Sequence, residues 1–177
     1  LDEDCLYLNV TTPDTTGKLP VLCWIHGGAF QKGSATAGIN PPAFAREGMV
    51  VVNMNYRLGA LGFMDMSGYL GDAYRQSGNS GLLDIIEALR WVRKNIASFG
   101  GDPDNVTIMG QSAGAKLCGA LTIMKKARGL FQKAILCSGA VQCIRDVHTA
   151  RCITEQFMSH AGLTKDRAHE ILTMPWE

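Results

Sequence analysis

Long hydrophobic runs, an excess of charge and several binding-site patterns are missing from this sequence of 177 residues. No apolar run approaches the ~20 residues that cross a bilayer, so we expect no transmembrane segment. The net charge of +1 does not indicate binding to nucleic acid or to an anionic membrane. Neither Gly-x-Gly-x-x-Gly nor a Gly-Lys-Ser/Thr phosphate loop occurs, which argues against a nucleotide site. We therefore expect no cofactor and no nucleic-acid partner.

The six cysteines also lack a Cys-x-x-Cys pair, which argues against a zinc or thiol-redox site. Cys23, Cys118 and Cys137 lie within apolar runs, where buried thiols are expected. Cys143 and Cys152 could form a disulfide, and spacing alone leaves this open. The sequence begins at Leu1 followed by an acidic stretch, so we interpret its start as a processed end or the edge of a fragment. Cellular location and oligomeric state stay open.

Strand-length apolar runs alternate with helical patterns along the chain. The predicted strands are Cys5–Val10, Val21–Ile25, Met49–Met54, Val106–Met109 and Ala134–Cys137. The clearest predicted helix runs from Leu82 to Phe99, with one apolar stripe at helical spacing, and stops at Gly100–Pro103. Further helices are expected at Ala115–Met124, Ala150–His160 and Lys165–Leu172. This alternation predicts an α/β protein with a mostly parallel sheet, and the length fits a single domain over residues 1–177.

Chemistry is indicated by the pentapeptide Gly110-Gln111-Ser112-Ala113-Gly114. It lies between a predicted strand and a predicted helix, the setting of a nucleophile elbow, in which a tight turn exposes a serine hydroxyl. Ser112 is therefore a candidate nucleophile for acyl transfer. The alternative is a glycine-rich turn with no chemistry, or one that binds a phosphate.

A second glycine turn, Gly27-Gly28, follows the predicted strand Val21–Ile25. Backbone N–H groups at such a turn can stabilise the negative oxygen of a tetrahedral intermediate. Gly27, Gly28 and Ala113 are therefore candidate oxyanion-hole donors, with a plain loop as the alternative. His26 precedes Ser112, whereas the base follows the serine in α/β-hydrolases. We expect His26 to orient the glycine loop through a ring hydrogen bond.

Several blocks, in the correct order over residues 1 to about 140, resemble the type-B carboxylesterases, which include cholinesterases and fungal lipases. The matching blocks are Glu3-Asp4-Cys5-Leu6-Tyr7-Leu8-Asn9-Val10, Asn55-Tyr56-Arg57-Leu58-Gly59, Gly78-Asn79-x-Gly81-Leu82-Leu83-Asp84, Phe99-Gly100-Gly101-Asp102-Pro103 and Gly110-Gln111-Ser112-Ala113-Gly114-Ala115. The resemblance implies a partial α/β-hydrolase fold and hydrolysis of small carboxylic esters through an acyl-enzyme on Ser112.

The same resemblance implies roles for three further residues. Arg57 and Asp84 are expected to form a structural ion pair behind the site, and a substrate-carboxylate clamp at Arg57 is the alternative. Many family members carry glutamate where this chain has Gln111. The missing charge beside the predicted nucleophile weakens the case for a choline ester as substrate.

In the family, the acid and histidine of the triad lie far downstream of the serine. Here only 65 residues (177 − 112) follow Ser112. The acids and histidines in this stretch are expected on the surface; they are Asp146, Glu155, Asp166, Glu170, Glu177, His148, His160 and His169. We therefore interpret the chain as an N-terminal-half fragment that is inactive or very weak by itself. The family also includes non-catalytic adhesion modules, and such an interaction role is the alternative function.

Overall fold

The computed structural model of the protein describes residues 4–142 and 144–174. Its five strands form one sheet in the order β1-β3-β2-β4-β5. They are β1 (Leu8–Thr11), β2 (Leu19–Ile25), β3 (Val50–Met54), β4 (Gly101–Gln111) and β5 (Lys133–Cys137). The pairs β3–β2, β2–β4 and β4–β5 are parallel, and β1 runs antiparallel to β3. The prediction of a mostly parallel sheet is confirmed.

The α-helices of the described residues are α1 (Pro41–Arg46), α2 (Gly59–Phe63), α3 (Ser67–Leu70), α4 (Ser80–Asn95), α5 (Ala113–Ile123) and α6 (Val147–His160). Short 3-10 turns occur at Asp72–Tyr74, Ser77–Asn79, Ile96–Phe99, Lys125–Ala127 and Lys165–Leu172. None of these helices is long and apolar enough to cross a membrane. The last segment, Lys165–Leu172, is helical as expected but has 3-10 rather than α geometry.

The central strands are buried on both faces, which explains their apolar runs without alternation. On one face, α4 and α5 pack against Cys23, Val52 and Ile108, all inaccessible to solvent. On the other face, Trp24 lies against the loop before α1 and donates a hydrogen bond from Nε1 to the Ala37 carbonyl at 2.9 Å. The apolar stripe that predicted α4 is the one that the sheet buries.

The predicted bounds of the first strand were wrong. Pairing starts at Leu8, not at Cys5, and extends to Thr11. The preceding segment is held differently: the Asn55 backbone N–H donates to the Tyr7 carbonyl at 3.0 Å, and Asn55 Nδ2 donates to the Cys5 carbonyl at 2.8 Å. A side-chain contact over 50 residues cannot be read from local periodicity.

Strand β4 is longer than predicted. The prediction missed its first residues because their types favour turns. Gly101 pairs with Leu19 of β2, and the register then shifts before Val21 pairs with Val106. Gly100, with φ of 77°, ends the preceding helical segment as expected. Pairing with β2 therefore makes a strand of the Gly-Asp-Pro-Asp stretch, which by itself favours a turn.

The predicted burial of thiols is confirmed for two of the three cysteines. Cys23 and Cys118 are inaccessible to solvent, and burial raises the pKa of each thiol to about 12. Cys137, at the end of β5, is only half-buried. The suggested pair of Cys143 with Cys152 involves Cys143, which lies outside the described residues.

Candidate active site

The predicted site residues follow three neighbouring strands at their carboxyl ends. Ser112 follows β4, the Gly27-Gly28 turn follows β2, and Arg57 follows β3. Because β3, β2 and β4 are adjacent and parallel, these three connections meet at one edge of the sheet. The strand order thus gathers residues that lie up to 85 positions apart in sequence (112 − 27).

Ser112 occupies a sharp turn between β4 and α5. Its φ is 54° and its ψ is −115°, a combination that non-glycine residues seldom adopt. A Cβ at Gly110 would lie 2.5 Å from the Gly114 carbonyl oxygen, and one at Gly114 would lie 2.0 Å from the Ile25 carbonyl oxygen. Since backbone cannot yield as a flexible side chain can, both positions require glycine. The strand–turn–helix predicted from the pentapeptide is confirmed.

The glycine loop lies directly beside this turn. A Cβ at Gly27 would meet the Gln111 carbonyl oxygen at 2.7 Å and the Ser112 Cβ at 3.4 Å. Gly28 has φ of 117°, and a Cβ there would lie 1.9 Å from the Lys32 carbonyl oxygen. The loop can therefore approach Ser112 only because side chains are absent.

The backbone N–H groups of the candidate donors are available for a ligand. Those of Gly27 and Gly28 make no hydrogen bond to any residue in the described part of the chain. Ala113 is the first residue of α5, where the N–H has no acceptor within the helix. Ala29, which the sequence analysis missed, shares this property and has a strained φ of 57°. No sequence signal marks it, because alanine is not typical of positive φ.

His26 is buried and faces the glycine loop with its ring. Its Nδ1 lies 2.7 Å from the Gly27 carbonyl oxygen, which can only accept, so Nδ1 carries the proton. The ring also stacks on Tyr56 with centroids 4.4 Å apart. Burial lowers the pKa of His26, which favours the neutral imidazole. The expected ring hydrogen bond to the loop is confirmed.

Gln111 places a neutral side chain at the rim of the site. It is exposed, and its Oε1 would lie 2.9 Å from a Cβ built on Gly27. A carboxylate in this position would add a negative charge beside the glycine loop, and the amide does not.

Arg57 and Asp84 form the expected ion pair in bidentate geometry. Arg57 Nε donates to Asp84 Oδ2 at 2.9 Å, and Arg57 Nη2 donates to Oδ1 at 2.7 Å. The Arg57 backbone N–H adds a third bond to Oδ2 at 3.0 Å. The hydrogen bonds to Asp84 raise the pKa of Arg57. The Asp84 side chain is 6% exposed and the Arg57 side chain is 39% exposed, so removing Arg57, which leaves a buried carboxylate unpaired, should cost more than removing Asp84.

The described acids and histidines of the last 65 residues are exposed, as expected, except for the half-buried Glu170. Asp146 caps α6 by accepting from the Thr149 N–H at 2.7 Å, and Glu170 pairs with Arg167. The rings of His148 and His160 contact residues of their own helix, α6. Glu177 lies outside the described residues. Across residues 4–142 and 144–174, the Ser112 hydroxyl has no hydrogen-bond partner.

One cavity of the described residues lies apart from the candidate site. It has a volume of about 350 Å³, lies between α3 and α6 and is lined by Asp65, Tyr69, Arg151 and Lys165, among others. Ser112 does not line it. Within the described ranges, no group of three histidine, cysteine or acidic side chains could hold a metal ion.

Comparison with known proteins gives the family of the chain. A model of the carboxylesterase family matches residues 1–174. The chain is 46% identical over 178 aligned residues to the para-nitrobenzyl esterase of Bacillus subtilis (strain 168), covering 99% of this chain and 36% of that protein. It is 42% identical over 170 residues to acetylcholinesterase 4 of Caenorhabditis briggsae, covering 93% of this chain and 27% of that protein.

Solved structures give the same result. The carboxylesterase EST55 of Geobacillus stearothermophilus superposes with a TM-score of 0.94 at 46% identity, covering 98% of this chain and 37% of that one. The chain thus spans between 27% and 37% of the length of these relatives. From these matches, the chain belongs to the carboxylesterase family and has a partial α/β-hydrolase fold.

Proposed function

We propose that this chain supplies the nucleophile and the oxyanion-binding side of a serine hydrolase that cleaves small carboxylic esters. The observation that carries the proposal is the strained Ser112 turn with Gly27 packed beside it. Strain at a non-glycine residue is characteristic of active sites, because the surrounding structure must hold it in place.

In this mechanism the Ser112 oxygen attacks the ester carbonyl carbon and gives its proton to a base. The negative oxygen that forms accepts hydrogen bonds from the free N–H groups of the glycine loop and of Ala113. The tetrahedral species then collapses and the C–O bond to the alcohol breaks. The leaving alcohol takes up the proton that the base had accepted, and the acyl group stays on Ser112. Water releases the carboxylic acid and restores the serine.

We infer that the base is not one of this chain's histidines. His26 commits its Nδ1 proton to the Gly27 carbonyl, and the rings of His148 and His160 contact their own helix. His169 is exposed on the 3-10 segment Lys165–Leu172. The acid and histidine of a triad would then come from polypeptide beyond these residues. The greater length of the family relatives supports this inference.

The neutral Gln111 bears on the choice of substrate. An exposed amide beside the glycine loop offers no charge to attract a cationic alcohol group. We therefore expect no marked preference for choline esters over neutral esters of similar size.

The test is turnover of p-nitrophenyl acetate by the natural polypeptide that carries these residues. We expect Ser112→Ala to abolish turnover and labelling by a fluorophosphonate, whereas Ser159→Ala, on the exposed side of α6, should leave both unchanged. Full turnover by Ser112→Ala would refute the proposal. Absence of labelling in the unmodified polypeptide would favour the non-catalytic interaction module.

The 177 residues expressed alone give a second measurement. Without a base, only binding and oxyanion stabilisation remain, which in serine proteases amount to about 10³–10⁴ over the reaction in water. Turnover at rates typical of whole enzymes would show that the base lies within these residues.

A further inference from the structure

Tyr56, which follows β3, makes two contacts with His26. Its hydroxyl donates a hydrogen bond to the His26 carbonyl oxygen at 2.7 Å, and its ring lies nearly parallel to the imidazole at an angle of 18°. Tyr56 is 2% exposed, so its hydroxyl has to find an acceptor within the protein. His26 in turn donates from Nδ1 to the Gly27 carbonyl. The two side chains thus hold two successive carbonyls of the glycine loop.

Holding a carbonyl also determines the direction of an N–H group. A trans peptide is planar, so its C=O and N–H point in opposite directions. The described residues contain no cis peptide. The Tyr56 hydroxyl therefore sets the direction of the Gly27 N–H through the carbonyl of His26. The His26 ring sets that of the Gly28 N–H through the carbonyl of Gly27.

The other free N–H groups are held by backbone alone. The Ser112 carbonyl, which shares a peptide with the Ala113 N–H, accepts from the Lys116 N–H at 3.1 Å. The Gly28 carbonyl, which shares a peptide with the Ala29 N–H, accepts from the N–H groups of Gln31 and Lys32. Among the peptides that carry the N–H groups of Gly27, Gly28, Ala29 and Ala113, those after His26 and after Gly27 have carbonyls held by side chains, so these can be tested by substitution.

We propose that Tyr56 is a positioning residue, which holds His26 and thereby aims the N–H group of Gly28 at the oxyanion. The inference rests on the proposed ester hydrolysis for its catalytic meaning. Gly33 leaves room for the His26 ring, because a Cβ there would lie 2.3 Å from His26 Nδ1 and displace the ring.

The first test is Tyr56→Phe, which keeps the ring and the stacking and removes only the hydroxyl. The matched control is Tyr74→Phe, since the half-buried Tyr74 has no hydroxyl hydrogen bond to the part of the chain that the structure describes. Loss of a whole oxyanion donor costs about 10²–10³ in kcat. A donor that is misdirected but present should cost less, and we expect kcat to fall about tenfold with KM unchanged.

Inhibition by a trifluoromethyl ketone separates positioning from a merely structural role. Its adduct with serine carries the same negative oxygen, so its affinity should fall about tenfold in Tyr56→Phe and stay constant in Tyr74→Phe. A purely structural effect would lower the amount of folded protein and leave kcat per labelled Ser112 unchanged. Equal kcat and equal inhibition in the two variants would overturn the proposal.

A spectroscopic measurement keeps the inference testable if the unmodified protein turns over no ester. With ¹⁵N-glycine and ¹⁵N-histidine labels, Tyr56→Phe should shift the Gly27 and Gly28 amide signals and weaken the His26 Nδ1–H signal relative to Tyr74→Phe. Absence of turnover would then count against the proposed function alone. Unchanged glycine and histidine signals would count against the role of Tyr56.

Discussion

The conformation of Ser112 predicts an unusual effect on stability. At most positions glycine destabilises a folded protein relative to alanine, because it gives the unfolded chain more freedom. At Ser112, with φ of 54° and ψ of −115°, alanine keeps the Cβ that makes this conformation costly, and glycine removes it. We therefore expect Ser112→Gly to be more stable than Ser112→Ala. Both variants lack the hydroxyl, so its interactions cancel in the comparison.

The size of this difference follows from two opposing contributions. Residues held in sparsely populated backbone regions cost about 1–3 kcal/mol. The added freedom of glycine in the unfolded chain costs about 0.4–1 kcal/mol. The free energy of unfolding of Ser112→Gly should therefore exceed that of Ser112→Ala by about 0.5–2 kcal/mol.

The assay is urea unfolding followed by circular dichroism, with midpoints compared at equal m-values. Ser159, exposed in the last turn of α6, provides the matched control, because there the helix makes alanine more stable than glycine, by at most the ~1 kcal/mol of a helix interior. The two sites should thus differ in sign. If glycine were less stable than alanine at position 112 by as much as at position 159, Ser112 would not be strained and the argument for a nucleophile elbow would fail.

Two further predictions concern the packing and the titration of the site. Gly114→Ala should destabilise by about 1–3 kcal/mol in the same urea assay, because its Cβ would meet the backbone of β2. Gly68→Ala, in α3 with open space around it, should be neutral or stabilising, and equal effects of the two substitutions would contradict this packing. Burial lowers the pKa of His26, so the unfolded chain binds this proton more readily than the folded protein, and the free energy of unfolding should fall as the pH drops below ~6.5. The slope is at most about 1.4 kcal/mol per pH unit for one proton; His26→Gln should lose it and His160→Gln should keep it.

Much of the fold could be predicted from local pattern, and the failures have a common cause. The apolar runs located β2, β3 and β5 to within a few residues, and the stripe of α4 matched its buried face. The bounds of β1 and the length of β4 were missed, since Asn55 and β2, far away in sequence, determine them. Helices α1, α2 and α3 were also missed. They have at most six residues, too few for a periodic pattern to be recognised.

The residues of the candidate site were also predicted only in part from local sequence. Glycine spacing marked Ser112, Gly27 and Gly28, because only glycine fits where backbones approach within contact distance. No glycine spacing or other local pattern indicated Ala29 or Tyr56. Their interest comes from a positive φ and from a hydrogen bond to a residue 30 positions away.

By itself the sequence determined the family, the position of the serine turn and the loop that lies next to it, since each depends on residues adjacent in the chain. The tertiary structure decided how that loop is held. The order β3-β2-β4 brings Tyr56, His26 and Ser112 to one edge of the sheet. There a tyrosine hydroxyl and an imidazole ring, rather than backbone alone, fix the carbonyls of two peptides. Because a planar trans peptide turns its N–H away from its carbonyl, only the folded chain determines where those N–H groups point.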